Sequence, residues 1–134
     1  MILETSRIRI PAESDQATIV RQFVRLACHR YGCDAEADNV LQVAAELLSN
    51  ALGHTHHSAD DTLEVGIVPT RQGVRVEVSD CPVPAQPDGQ AAPSPIGQED
   101  ERQGLRIVAS LAQEWGIDEV PTGTRLWAEM ITHP

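Results

Sequence analysis

The segment from about Ala35 to Leu52 constrains the fold more than any other part of this 134-residue chain. A helix with so wide an apolar face must be covered by other elements, because water disfavours a large exposed hydrophobic surface. The pattern therefore predicts a helix buried against a sheet, stopped by Gly53, since glycine is common just past helix ends. The apolar residues recur at helical spacing: Val40, Leu41, Val43, Ala44, Leu47, Leu48, Ala51 and Leu52.

Other segments supply the elements that could cover this helix. Two have apolar residues at helical spacing, three alternate apolar and polar residues as strands do, and a last strand is expected after the turn at residues 121–123. In chain order we predict a strand at Arg7–Ile10, a helix from Ser14 as N-cap to Arg30, the helix at Ala35–Leu52, a β-hairpin of strands 63–67 and 74–78, a helix at Gly104–Trp115 and a strand at Thr124–Ile131.

This order of elements predicts an α+β fold. We expect a two-layer α/β sandwich, with helices on one face of a mixed, mostly antiparallel sheet. Residues 1–134 are long enough for a single domain with a real core. Between the hairpin and the third helix, residues 81–103 contain five prolines and two glycines and show no periodicity. We predict a long loop there, of the kind that often serves as a lid over a functional site.

Charge and cysteine content exclude several classes of function. The net charge is −10, and all ten basic residues are arginine. Without lysine a Walker-type phosphate loop is excluded, and an acidic chain is unsuited to non-specific binding of nucleic acid or anionic membranes. Three cysteines, an odd number, and no export signal at Met1–Glu4 predict a cytoplasmic protein rather than a disulfide-bonded one.

Three polar residues stand out against the apolar pattern. Glu46 and Asn50 lie four residues apart on the predicted central helix, so they share one face. This pair forms either a solvent-exposed stripe or part of a pocket. Asp80 ends the second strand of the hairpin with the same parity as Val74, Val76 and Val78, and it is either a turn cap or a pocket residue.

Further groups admit both a functional and a structural interpretation. Gly104, followed by Leu105 and Arg106, would open the third helix, where free N–H groups suit an anion, although an ordinary helix entry has the same pattern. A metal site could form at His54, His56 and His57, with Cys28, His29 and Cys33 as further ligands, but no pair has zinc-finger spacing. Cys81 is either a nucleophile or an inert thiol.

Four segments resemble, in the same order, the motifs of one known family. Glu46–Thr55 is similar to the N-box of the gyrase and histidine-kinase (GHKL) ATPase superfamily, in the form found in anti-sigma-factor serine kinases. Val76–Asp80 resembles the strand that carries the adenine-binding aspartate. Gln103–Val108 resembles the glycine box after the lid, and Gly123–Glu129 resembles the closing strand. The resemblance implies a Bergerat-type ATPase fold and the cofactors ATP and Mg²⁺.

The resemblance also assigns roles to individual residues. Asn50 would supply an oxygen ligand to Mg²⁺, and Glu46 would act as the general base toward a serine hydroxyl or water. Asp80 would accept a hydrogen bond from the adenine amino group. By the same resemblance, the residues that contact the nucleotide are Asn50, Asp80, Gly104, Leu105 and Thr124.

The function implied is that of an ATP-binding regulator of transcription. Such a protein would sequester a sigma factor and, as a serine/threonine kinase, phosphorylate an anti-anti-sigma antagonist; free-standing members often dimerise. Pro82, Pro84 and Arg102 stand where the family usually has glycine. Proline has no N–H group and cannot adopt positive φ angles. A non-catalytic partner-binding module with the same fold and a degenerate nucleotide site is therefore the alternative.

Overall fold

The computed structural model of the chain describes residues 5–11, 16–54, 62–81, 99–120 and 123–132. Every helix and strand predicted above has a counterpart there, and one further strand is present. The elements are β1 (Ser6–Pro11), α1 (Ala17–Arg30), a short 3₁₀ turn (Asp34–Glu36), α2 (Ala37–His54), β2 (Thr62–Pro69), β3 (Gly73–Cys81), α3 (Glu99–Leu111), β4 (Glu114–Val120) and β5 (Gly123–Ile131).

The five strands form one sheet in the order β1-β2-β3-β5-β4, with antiparallel neighbours. The register places Val65 of β2 opposite Val78 of β3, and Val78 opposite Leu126 of β5. All three are buried. Because strand side chains alternate between faces, this register collects the apolar residues on one side of the sheet. The predicted β-hairpin is confirmed, and its turn is closed by the Thr70 N–H donating to the Gly73 carbonyl at 2.8 Å.

Helix α2 lies at the centre of the helical layer. It packs against β2, β3 and β5, and it also contacts both α1 and α3. Since α1 contacts β2 and α3 contacts β4, these two helices lie on opposite flanks of α2. Val40, Val43 and Leu47 of α2 are at most 1% exposed. The predicted two-layer α+β sandwich is confirmed.

The other face of the sheet is polar and lies opposite the helical layer. Glu77 of β3 is only 7% exposed there. Its carboxylate lies 3.0 Å from the Arg75 guanidinium and 3.3 Å from that of Arg7. Arg75 also stacks over the Trp127 ring at 4.4 Å. A buried carboxylate needs such partners, because desolvation without them is costly.

Several predicted boundaries are wrong. Helix α1 begins at Ala17 with Gln16 as its N-cap, so Ser14, outside the described residues, is not the cap. Gly53 does not stop α2, which continues to His54. A single glycine marks a helix end only when the chain turns there, and propensity alone does not decide this.

The region after the hairpin differs most from the prediction. Cys81 is the last residue of β3, and α3 already begins at Glu99, so the predicted loop is too long at both ends. Residues 82–98 lie outside the described part of the chain. Strand β4 is absent from the sequence prediction, which extends the third helix to Trp115, a residue that lies in β4. Its pairing with β5 in the sheet outweighs the local helical pattern.

Candidate functional site

The side-chain amide of Asn50 is buried on α2, where it requires hydrogen-bond partners. It is 9% exposed, and its Nδ2 atom has no hydrogen-bond partner among the described residues. Glu46, one turn earlier on the same side of α2, is half-buried. The interpretation of this pair as a solvent-exposed stripe is therefore wrong for Asn50. An unpaired buried amide costs free energy, which a bound polar group would recover.

The position of Asn50 around α2 decides what the amide faces. Successive helical residues turn by about 100°, so Leu48 and Leu52 lie on the side opposite Asn50. Those two leucines line a cavity shared with α1. Asn50 and Glu46 therefore lie on the other flank, the one toward α3.

Asp80 and Thr124 lie at the same end of two neighbouring strands. The register of β3 and β5 runs through Val78 opposite Leu126 and Ser79 opposite Arg125. The next residue along each strand is Asp80 and Thr124, respectively. Thr124 is half-buried, while the side chain of Asp80 lies outside the described part. That Asn50 and Asp80 line one cavity stays a prediction, although α2 packs directly on β3.

Gly104 does not open a helix. It lies inside α3, which begins five residues earlier at Glu99. Only the first four N–H groups of a helix lack an intrahelical acceptor, so the N–H of Gly104 is not one of the free donors expected at that position. Leu105 is half-buried and Arg106 is exposed. Phosphate contacts by Gly104 and Leu105 stay predictions, but they cannot come from the first turn of α3.

The competing metal site gains no support from the described residues, which contain no group of three His, Cys, Asp or Glu side chains able to hold a metal ion. The side chain of His54, together with His56 and His57, lies outside that part of the chain, as does that of Cys81. Cys28 and Cys33 are buried free thiols. Burial, helped by the neighbouring Cys33, raises the pKa of Cys28 to about 12.

Comparison with known proteins identifies the family. A family model described as the histidine kinase-like ATPase domain matches residues 10–130. The chain belongs to this family. A histidine kinase-like ATPase domain is of the GHKL type, an ATP-binding, kinase-like domain. The predicted Bergerat-type fold is thereby confirmed.

One solved structure supports the same fold. It is the histidine kinase domain of a blue-light activated histidine kinase from Erythrobacter litoralis EL346, with a TM-score of 0.52 and 18% sequence identity. The match covers 92% of the present ATPase domain and 62% of the other chain. At this identity the likeness shows the fold alone. No curated protein matches the sequence.

Among the described residues, no helix is both long and apolar enough to span a membrane.

Proposed function

We propose that this ATPase domain is a regulatory protein kinase that binds ATP with Mg²⁺ and transfers phosphate to a serine or threonine of a partner protein. By its resemblance to anti-sigma-factor kinases, the substrate is an anti-anti-sigma antagonist, and the sequestered partner is a sigma factor. A homodimer is part of the same proposal, and the cytoplasm is its expected location.

The buried Asn50 amide carries the proposal. Its Nδ2 is a donor without an acceptor among the described residues, and its Oδ1 is the kind of hard oxygen ligand that Mg²⁺ prefers. The residues therefore fit the cofactor. When bound, ATP·Mg²⁺ would supply the phosphoryl group, and the metal ion would neutralise negative charge on the phosphate oxygens.

Other residues of the domain have distinct tasks in this proposal. Glu46, one turn from Asn50 and only half-buried, would accept the proton of the attacking hydroxyl. Asp80 would accept a hydrogen bond from the adenine amino group, and Thr124, next to it across the strands, would support that end of the base.

Titration calorimetry tests the binding half of the proposal. ATP·Mg²⁺ should give a saturable heat with the wild type and none with Asn50→Ala. Asn39→Ala is the matched control, because Asn39 is an exposed asparagine on the same helix. If the wild type gives no heat at millimolar nucleotide, or if Asn50→Ala binds as the wild type does, the proposed site is wrong.

Phosphoryl transfer needs a separate experiment. The protein is incubated with γ-labelled ATP and candidate antagonists, and the wild type is compared with Glu46→Gln, which keeps the side-chain shape but removes the base. Label should appear on an antagonist serine or threonine with the wild type and be strongly reduced with the variant. Equal labelling by both proteins would exclude Glu46 as the base.

A non-catalytic partner-binding module is the second candidate function. It is favoured by the position of Gly104 inside α3, where its N–H group is not available for a phosphate. Pro82 and Pro84, outside the described residues, remove two further N–H donors. Two results together would support this module: a sigma factor complex that forms equally well with and without ATP·Mg²⁺, and no heat of nucleotide binding in calorimetry.

A further inference from the structure

A second site lies between α1 and α2, separate from the proposed nucleotide site. It is a cavity of about 370 Å³, open on one side. Its walls are mainly hydrocarbon, from Ala17 and Val20 of α1 and from Leu41, Leu48 and Leu52 of α2. Water gains few hydrogen bonds against such walls, so an apolar group should replace it readily.

The cavity and the proposed nucleotide site share α2 as a common wall. Leu48 and Leu52 are each two residues from Asn50, which places them about 200° away around the helix axis. The cavity therefore belongs to the α1 flank of α2, whereas Asn50 belongs to the α3 flank. A ligand in the cavity would not occupy the proposed nucleotide site.

The cavity is large enough to hold a small molecule. Small-molecule sites typically have volumes of about 300–1,000 Å³. A dry apolar cavity of about 150 Å³ suffices for a benzene ring. The present cavity, at about 370 Å³, therefore has room for a hydrocarbon chain of medium length.

The cavity also has a positive end. Arg21 lines it, is exposed, and has no hydrogen-bond or ion-pair partner among the described residues. Arg25, one turn further along α1, lies 3.1 Å from Asp38 and is thus already paired. Helix α1 contains three arginines and no acidic residue, in a chain whose net charge is −10.

The start of α1 adds to this positive end. Its first turn holds no acidic residue. Ala17, the first helical residue, lines the cavity. The N–H groups and the dipole of a helix start favour an anion, so a carboxylate there would meet both the helix end and the Arg21 guanidinium.

We propose that the cavity between α1 and α2 binds a medium-chain fatty carboxylate. The hydrocarbon chain fills the apolar cavity, and the carboxylate lies at Arg21 and the first turn of α1. This inference is independent of the proposed kinase function, because none of its residues lies on the Asn50 flank of α2.

Calorimetry with sodium decanoate, below its micelle concentration, tests this proposal. Decanoate should bind the protein saturably, and decanol, which lacks the charge, should bind about two- to fivefold more weakly, the ratio expected for an ion pair with the exposed Arg21 guanidinium. Arg21→Gln should weaken decanoate binding by a similar factor. Arg71→Gln is the matched control, because it removes the same charge at the exposed hairpin turn, and it should bind as the wild type does.

A second variant tests whether the ligand occupies the cavity itself. Ala45 lines the cavity and is exposed, so Ala45→Phe should block the space without disturbing the core, and binding should be lost. The proposal is overturned if decanoate does not bind, if Arg21→Gln and Arg71→Gln weaken it equally, or if Ala45→Phe leaves it unchanged. Hydrogen exchange of α1 and α2 gives a further check. If an acidic amphipathic peptide slows exchange there and decanoate does not, the cavity receives a partner helix, and the proposal is overturned.

Discussion

Replacing Asn50 by leucine should separate stability from nucleotide binding. Leucine has nearly the shape of asparagine but no polar atoms. Asn50 is 9% exposed, with an Nδ2 that has no partner among the described residues. A buried donor left unpaired costs about 1–3 kcal/mol. Substitution removes that cost and adds apolar burial, while the imperfect fit of a new side chain takes some of the gain away. We expect a net stabilisation of about 1 kcal/mol.

Urea denaturation with and without ATP·Mg²⁺ measures both effects. Without nucleotide, Asn50→Leu should unfold at a higher midpoint than the wild type, with an unchanged slope. With nucleotide at a hundred times its dissociation constant, the wild type should gain about 2.7 kcal/mol and the variant nothing. At exposed Asn39, the same substitution should change stability by less than about 0.5 kcal/mol and leave nucleotide binding intact.

A loss of stability in Asn50→Leu would contradict this account of Asn50. If Asn50→Leu lowers the stability of the nucleotide-free protein by more than about 1 kcal/mol, the amide is engaged in structural hydrogen bonds. The argument that it is held open for a ligand would then fail, whatever the effect on nucleotide binding.

Two further predictions concern the sheet and the buried thiols. Gly116→Ala should lower the free energy of unfolding in urea by about 1–3 kcal/mol, because the added Cβ would lie 2.8 Å from the Trp127 ring. Gly66→Ala should cost less, because its Cβ meets the long, unbranched side chain of Arg7, most closely a terminal nitrogen at 3.0 Å, and such a side chain adjusts more easily than a ring; equal losses would contradict this. The pKa of Cys28 is raised from 9.0 to about 12, so its contribution to stability should be complete below pH 9 and be lost as the pH rises toward 12. Alkaline denaturation of Cys28→Ala should therefore show a shallower decline than the wild type, and identical slopes would contradict the burial argument.

The central helix and the hairpin were predictable because their signals are local. The apolar face of α2 and the alternation in β2 and β3 are each contained within about twenty residues. Side-chain periodicity of this kind fixes the element type before any tertiary contact forms. The confirmed positions of Val65 and Val78 on the helix-facing side of the sheet follow from the same alternation.

Elements with weaker or conflicting local signals were not predictable. Glu114–Val120 is an edge strand that is held by pairing with β5, and the residues of the segment itself do not predict that pairing. Gly104 shows the opposite case, in which a local signal for a helix boundary is overridden. A helix tolerates an internal glycine at a cost of about 1 kcal/mol. Packing of α3 against α2 overrides that cost.

The class of fold, the central helix and the residues that could carry chemistry were all predictable from the amino-acid sequence alone. The sequence could not determine which of those residues are buried, because burial depends on where neighbouring elements pack. The packing of the elements buries Asn50 on one flank of α2, with an Nδ2 atom that has no partner among the described residues, and it places Arg21 beside an apolar cavity on the other flank. Periodicity specifies the angle of a residue around its own helix, and the contacts between helices and sheet decide what occupies that direction.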